Sequence, residues 1–104
     1  MMTIKITSEN FQKEVMESPI PVILDFWAEW CRPCQMLGPI IEDISNELAG
    51  KVKVGKVNVD EEGLLANQYR ISSIPTVMAF KQGKPTAQVI GLLRKEDLLK
   101  RLGL

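Results

Sequence analysis

The stretch WCRPC, residues 30–34, holds the only two cysteines of the chain, Cys31 and Cys34, with Arg32 and Pro33 between them. A structural zinc site takes four Cys or His ligands. With two cysteines and no histidine, the chain offers half of one. A disulfide acting as a staple stabilises more as the loop it closes grows, and this loop is too short to remove much chain entropy. Two plain core thiols would leave unexplained why both lie beside a proline at a strand-to-helix junction. Thiol–disulfide exchange uses every residue of the stretch. Pro33 suits the first turn of a helix, where no N–H is needed. Cys31 then stands just ahead of that helix, where free backbone N–H groups and the helix dipole favour the thiolate, the nucleophilic form. Cys34 falls about one turn further on, within bonding reach of Cys31 and placed to attack a mixed disulfide formed there.

Two more residues are out of step with their surroundings. Asp25 interrupts VILDFWA (22–28), a run that is otherwise apolar on both faces. An aspartate near a strand end is commonly part-exposed. If this one is buried, its pKa rises and it becomes a proton acceptor and donor near neutral pH. Lys56 lies in KVKVGKVNV (51–59), in phase with Val52 and Val54 on one face of a strand. It either snorkels at the strand end or pairs with a buried acid on the neighbouring strand. Arg32 stays protonated at any relevant pH and cannot transfer a proton. It is either a solvated surface charge or a cation that favours the Cys31 thiolate. Trp27 reads as core, whereas Trp30 precedes the nucleophile on a loop and is expected to be exposed. Clustered with Ile74, Pro75, Gly91 and Leu92, Trp30 would form a flat apolar patch for partner proteins. Gly91 would let another backbone approach closely, and the Ile74 backbone could pair with an extended substrate strand. The five methionines, Met1, Met2, Met16, Met36 and Met78, read as terminal residues and core filler.

The elements that must position these residues alternate. TIKI (3–6) reads as a short strand, followed by a helix capped by Thr7 or Ser8 and running to about Glu17, with Phe11 and Val15 inward. Residues 22–28 have the pattern of a central strand covered on both sides. From Pro33 to Leu48, Leu37, Ile40, Ile41, Ile44 and Leu48 follow helical spacing, with Pro39 inside the helix and Gly50 placed to end it. Residues 51–59 read as a valine-rich strand. Residues 61–70 look like a helix with Leu64, Leu65 and Tyr69 inward. TVMAF (76–80) and TAQVI (86–90) form a hairpin about Gln82-Gly83-Lys84. Residues 94–102 close the chain as an amphipathic helix. The order β-α-β-α-β-α-β-β-α predicts an α/β protein, one mixed sheet with helices on both faces. Only the hairpin must be antiparallel, and helical crossovers are expected to make the earlier strands largely parallel.

The totals narrow the function classes. A chain of 104 residues suggests one domain, 1–104, with 45% apolar and 25% charged residues. Thirteen Lys and Arg balance thirteen Asp and Glu, which gives no polyanion-binding surface and argues against a nucleic-acid partner. MMTIKITSEN has no apolar core of a signal peptide, and the longest apolar runs are far too short to span a bilayer. A cytoplasmic protein with no membrane association is expected. In a reducing compartment a cysteine pair usually binds metal or cycles chemically.

DFWAEWCRPC (25–34), Pro39 in the following helix, KVNVD (56–60), SIPT (73–76), FKQG (80–83) and Gly91 occur in that order along nearly the whole chain. In these motifs the sequence resembles the thioredoxin family, the standard example of a redox Cys-x-x-Cys beside a βαβ pattern. The resemblance implies the thioredoxin fold, a central mixed five-stranded sheet flanked by four helices. It implies a protein-disulfide reductase recharged by thioredoxin reductase, an NADPH-dependent flavoprotein. The nicotinamide and flavin then sit on that partner, and this chain, a monomer, carries no cofactor or metal beyond a redox-active Cys31–Cys34 disulfide. Disulfide-containing client proteins are the other partners implied. Residue by residue, Cys31 resembles the attacking thiol and Cys34 the resolving thiol. Asp25 resembles the buried acid that helps move the resolving cysteine's proton, and Lys56 the lysine beneath it. Pro75 resembles the proline that takes a cis bond opposite the disulfide. Trp30, Ile74 and Gly91 match the docking surface, with Arg32, Pro33 and Pro75 beside them. Arg32 departs from the pattern, where the usual motif has glycine; this bears on potential and partners, not on reaction type. Two rivals are a docking subunit in which thiol chemistry is incidental, and an oxidant or isomerase of the same fold.

Replacing Arg32 separates its two readings. Arg32→Gly is expected to move the pH midpoint of Cys31 alkylation slightly upward. The couple should become more reducing by at most about 15 mV, with both effects shrinking in high salt. Partner kinetics should change more than the potential does. Alkylation against pH and the redox equilibrium with glutathione, each at low and high salt, check this. A midpoint that stays put or falls would leave Arg32 as a surface or docking residue.

Overall fold

Valine- and isoleucine-rich runs form the sheet, and the helices cover it. The computed structural model describes residues 3–104; Met1 and Met2 lie outside them. The elements are β1 (Ile4–Lys5), a π-helical segment (Gln12–Met16), β2 (Val22–Trp27), α1 (Arg32–Glu47), β3 (Lys53–Asn58), α2 (Gly63–Gln68), β4 (Thr76–Lys81), β5 (Lys84–Ile90) and α3 (Lys95–Leu102). The five strands make one sheet in the order β1-β3-β2-β4-β5. This is the mixed α/β sheet expected, with four helical segments on its two faces.

Side-chain alternation sends each strand to both faces. On one side Ile23, Val54, Val77 and Ala79 pack with Leu37, Ile41 and Ile44 of α1 and with Leu98 and Leu102 of α3. On the other, Leu24, Phe26, Val57, Met78 and Phe80 pack with Phe11, Val15 and Leu65. A strand covered on both faces has no polar side, which is why β2 reads as a nearly continuous apolar run.

Several elements differ from expectation. The first helix is a short π-helical segment, closed by the Glu17 N–H donating to the Gln12 carbonyl at 2.9 Å. Neither Thr7 nor Ser8 caps it, since its N-cap is Phe11; the Thr7 Oγ1 instead accepts from the Glu9 and Asn10 N–H groups in the turn that precedes the helix. Phe11 and Val15 are buried as expected. β2 and β3 run parallel, as do β1 and β3. However, β4 is antiparallel to β2 as well as to β5. The connection between β3 and β4, which contains α2, leaves β4 starting at the end of the sheet where β3 stops. Leu64 is 84% exposed, contrary to the inward reading, while Leu65 is buried and Tyr69 packs on the core. Adjacent helical positions cannot share one narrow face. Of the described methionines only Met78 is core filler; Met16 and Met36 are exposed. The hairpin turns at Gln82 and Gly83, both at positive φ (53° and 78°), and the Gly83 position has no room for a Cβ against the Met16 carbonyl, 2.9 Å away.

Phe80 is fully buried and meets Tyr69 and Phe11 edge-on, with ring centroids 5.4 and 6.2 Å apart. Phe80→Ala is expected to lower unfolding free energy by about 3–5 kcal/mol, and Leu64→Ala by less than about 0.5 kcal/mol. Urea unfolding of both variants checks the pair; similar losses would contradict the assigned packing.

Candidate functional site: a disulfide at a helix start

β2 ends at Trp27, and a tight turn, closed by the Cys31 N–H donating to the Ala28 carbonyl at 3.3 Å, leads into α1. Cys31 is the N-cap of α1, in an extended conformation, with Arg32 and Pro33 in the first turn. Its Sγ accepts the Cys34 backbone N–H at 3.2 Å. The sulfur thus does what a serine or aspartate oxygen does at other N-caps. Cys31 and Cys34 form a disulfide, with Cα atoms 5.2 Å apart. Both are buried, at 5% and 3% exposure, so in the oxidised form position in the helix, not exposure, distinguishes them.

The loop before β4 faces this pair. The Ile74 carbonyl lies 3.8 Å from Cys31 Sγ; the oxidised sulfur carries no proton, so this is a contact that becomes a weak hydrogen bond only in the thiol. The Ile74–Pro75 peptide bond is cis. The Pro75 carbonyl accepts the Gly91 N–H at 2.9 Å, which brings the end of β5 beside the same loop. Gly91 has φ +100°, a conformation natural to glycine, and a Cβ there would meet open space. Trp30 is 71% exposed, Arg32 and Pro33 are exposed just after it in the chain, and Leu92 is exposed next to Gly91.

Asp25 lies in the middle of β2, in register with Lys56 of β3 and Val77 of β4. It shares the face of Ile23 and so points toward α1. It is 0% exposed, and neither carboxylate oxygen has a hydrogen-bond partner among the described residues. Lys56 Nζ stands 3.9 Å from Oδ2, an ion-pair distance too long for a hydrogen bond. Burial therefore dominates and pushes the Asp25 pKa up to about 6, with the Lys56 charge opposing it only in part. Lys56 also lies 5.0 Å from the Trp27 ring centroid and lines a cavity of about 330 Å³ with Lys5, Trp27, Asn58 and Glu61.

A Cβ on Gly38 would sit 4.0 Å from Lys56 Nζ. Gly38 is one turn beyond Cys34, on the same stripe of α1. Cys34, Asp25 and Lys56 are thereby brought to one region between helix and sheet. Three residues escaped the sequence reading. Gly38 carries no side chain to signal a role. Asp60 accepts the Trp30 indole N–H at 2.8 Å, and Gln35 donates to the Glu29 carbonyl at 2.7 Å. Asp60 closes the KVNVD motif without a role of its own in the sequence, and Gln35 carries no pattern that singles it out. Among the described residues no group of three or more His, Cys, Asp or Glu could hold a metal ion, and no helix is long and apolar enough to cross a membrane.

A mixed α/β sheet with a Cys-x-x-Cys disulfide at the start of its central helix defines a thiol–disulfide oxidoreductase. Residues 2–103 match the family model described as thioredoxin. The chain is 54% identical over 98 residues to a thioredoxin of Rickettsia felis, covering 94% of this chain and 93% of that one. It is 45% identical to thioredoxin 1 of a Nostoc species (94% and 92% covered) and 46% identical to thioredoxin 1 of Synechococcus elongatus (93% and 91% covered). The chain belongs to the thioredoxin family, whose redox-active disulfide here is Cys31–Cys34.

The raised Asp25 pKa has a consequence for stability. The folded protein holds the Asp25 proton up to about pH 6, whereas an ordinary aspartate releases it near 3.8. The stabilising effect of proton uptake is fully present below the unfolded value and is lost as pH rises through about 6. Above that, the buried charge costs about 3 kcal/mol. Asp25→Asn is expected to match the parent near pH 4 and to exceed it by up to that amount at pH 8. Denaturant unfolding at both pH values checks the sign; an Asn variant less stable at pH 8 than at pH 4, relative to the parent, would show the carboxylate to be well paired.

Proposed function

We propose that the chain, a single domain over residues 1–104, is a general protein-disulfide reductase in which Cys31 attacks and Cys34 resolves. The observation that carries the division of labour is the position of Cys31 as N-cap of α1. There the unpaired backbone N–H groups and the positive end of the helix dipole stabilise a thiolate. In the reduced protein the Cys31 thiolate attacks one sulfur of a client disulfide, forming a mixed disulfide and releasing the other client sulfur as a thiolate, which takes up a proton. Cys34 loses its proton and attacks Cys31 Sγ. The Cys31–Cys34 disulfide forms, the second client thiolate leaves and is protonated, and two electrons have passed to the client.

Asp25 suits the role of acceptor for the Cys34 proton, because its raised pKa brings it near neutrality and both its oxygens are free to accept. Lys56 moderates the charge left behind and lies against a solvent-open groove through which the proton can leave. Trp30, Arg32, Pro33, Ile74, Pro75 and Gly91 make up the docking surface, in which Ile74 is half-buried and Pro75 buried; an extended client segment would lie along the Ile74 backbone beside the disulfide. The oxidised protein is recharged by thioredoxin reductase, a flavoprotein using NADPH. The chain acts in the cytoplasm as a monomer with no bound cofactor or metal.

Trapping tests the assignment of the two thiols. With the resolving thiol removed, Cys34→Ser is expected to accumulate stable mixed disulfides through Cys31, whereas Cys31→Ser should accumulate none above background. Non-reducing electrophoresis and mapping of the trapped peptides give the result. Trapping through Cys34 in the Cys31→Ser protein would reverse the roles.

A further inference from the structure

Trp30 is the most prominent apolar side chain near the disulfide, 71% exposed on a turn of the chain. A side chain so exposed would ordinarily sample several rotamers, and a client binding against it would have to arrest them. Two contacts from separate elements restrain this one. The indole N–H, the only polar group of the ring, donates to Asp60 Oδ2 at 2.8 Å. Asp60 is itself set by Asn58, whose Oδ1 accepts the Asp60 N–H at 2.9 Å and the Glu61 N–H at 3.3 Å just past the end of β3. From the other side, the Gln35 side chain on α1 reaches back to the Glu29 carbonyl at 2.7 Å, which fixes the peptide plane leading into Trp30. The Cys31 N–H closes the same turn on Ala28.

We propose that Gln35 and Asp60 are positioning residues for client docking: together they hold the Trp30 ring in place beside Cys31 before a client arrives. This rests on the docking role of Trp30 proposed above. The physical argument is preorganisation. The hydrogen-bonding edge of the ring is turned to β3 and its backbone is tied to α1, so its apolar surface is presented to a client without further ordering. Neither residue touches the sulfurs. Their loss should weaken engagement of a folded client more than exchange with a small disulfide that makes little contact with Trp30. The entropic cost of arresting one such side chain corresponds to about two- to tenfold in affinity.

The test uses the prereduced protein in single-turnover reduction, so that no reductase enters, with insulin as the protein disulfide and dithiobis-nitrobenzoate as the small one. Gln35→Met and Asp60→Ala are expected to raise the half-saturating insulin concentration about threefold to tenfold. Each should lose at least about threefold more toward insulin than toward the small disulfide. Asp60→Asn, whose Oδ1 still accepts the indole N–H, should recover most of the loss. The Trp30 indole N–H order parameter from NMR relaxation should fall in Gln35→Met and Asp60→Ala and not in Asp60→Asn. Equal losses for both disulfides, or an indole as ordered as in the parent, would overturn the proposal. Trp30→Ala separates it from the reading beneath: if insulin kinetics are untouched by Trp30→Ala, the docking role falls and the clamp with it. If they suffer there but not in the Gln35 and Asp60 variants, the clamp alone falls. Should Gln35→Met disturb the start of α1, the Asp60 series, which sits on another element, decides the outcome by itself.

Discussion

The open N-terminus of α1 sets the terms for the site. The first N–H groups of a helix have no partner within it, and here one of them finds a sulfur, the Cys34 N–H on Cys31 Sγ. That arrangement requires Cys31 to stand outside the helix and Cys34 inside its first turn, with Pro33 between them needing no donor. It also requires the helix to be held rigidly. Leu37, Ile41 and Ile44 supply this by packing against Ile23, Val54, Val77 and Ala79 of the sheet. Dipole stabilisation of a charge at a helix end is about 0.3–1 kcal/mol, small enough that a loosely held helix would waste it.

Burial of Asp25 works against stability and in favour of proton transfer. The carboxyl is fully enclosed, has a cation nearby without a hydrogen bond, and is held near pH 6 by desolvation. A well-packed apolar residue would serve the fold better at this position. The same environment gives a group that exchanges a proton near neutrality, placed on the sheet face that α1 covers. Lys56 connects this enclosed acid to a groove at the surface, over Trp27 and under the side-chain-free Gly38. The stretch from β2 to α1 thus holds both cysteines of the disulfide and the buried acid within ten residues, 25–34.

The surface around the disulfide is assembled from segments far apart in sequence. The turn after β2 brings Trp30, the loop before β4 brings Ile74 and Pro75, and the end of β5 brings Gly91 through its bond to the Pro75 carbonyl. β4 lies beside β2 and runs against it, and β5 runs against β4. The start of β4 and the end of β5 therefore meet at the end of the sheet where β2 gives way to α1. Antiparallel placement of β4, the feature that sequence order did not anticipate, is what puts the cis-proline loop opposite the cysteines.

What the sequence by itself determined is local. The spacing of Cys31, Pro33 and Cys34 dictated a pair at a helix start, because one helical turn sets the reach between them. The apolar period of 37–48 dictated the buried face of α1, and Gln82-Gly83 a tight hairpin turn, because these depend on neighbours a few residues away. The out-of-phase Asp25 and the in-phase Lys56 marked themselves as anomalies, but whether they were enclosed or part-exposed was open. Only the tertiary structure decided that, since burial of Asp25 depends on β3, β4 and α1 closing around it. It also decided that Leu64 faces solvent, that β4 opposes β2, and that Asp60 and Gln35 converge on Trp30 and the turn that carries it. Those outcomes depend on which elements meet at one end of the sheet and which faces they cover, arrangements that no local period encodes.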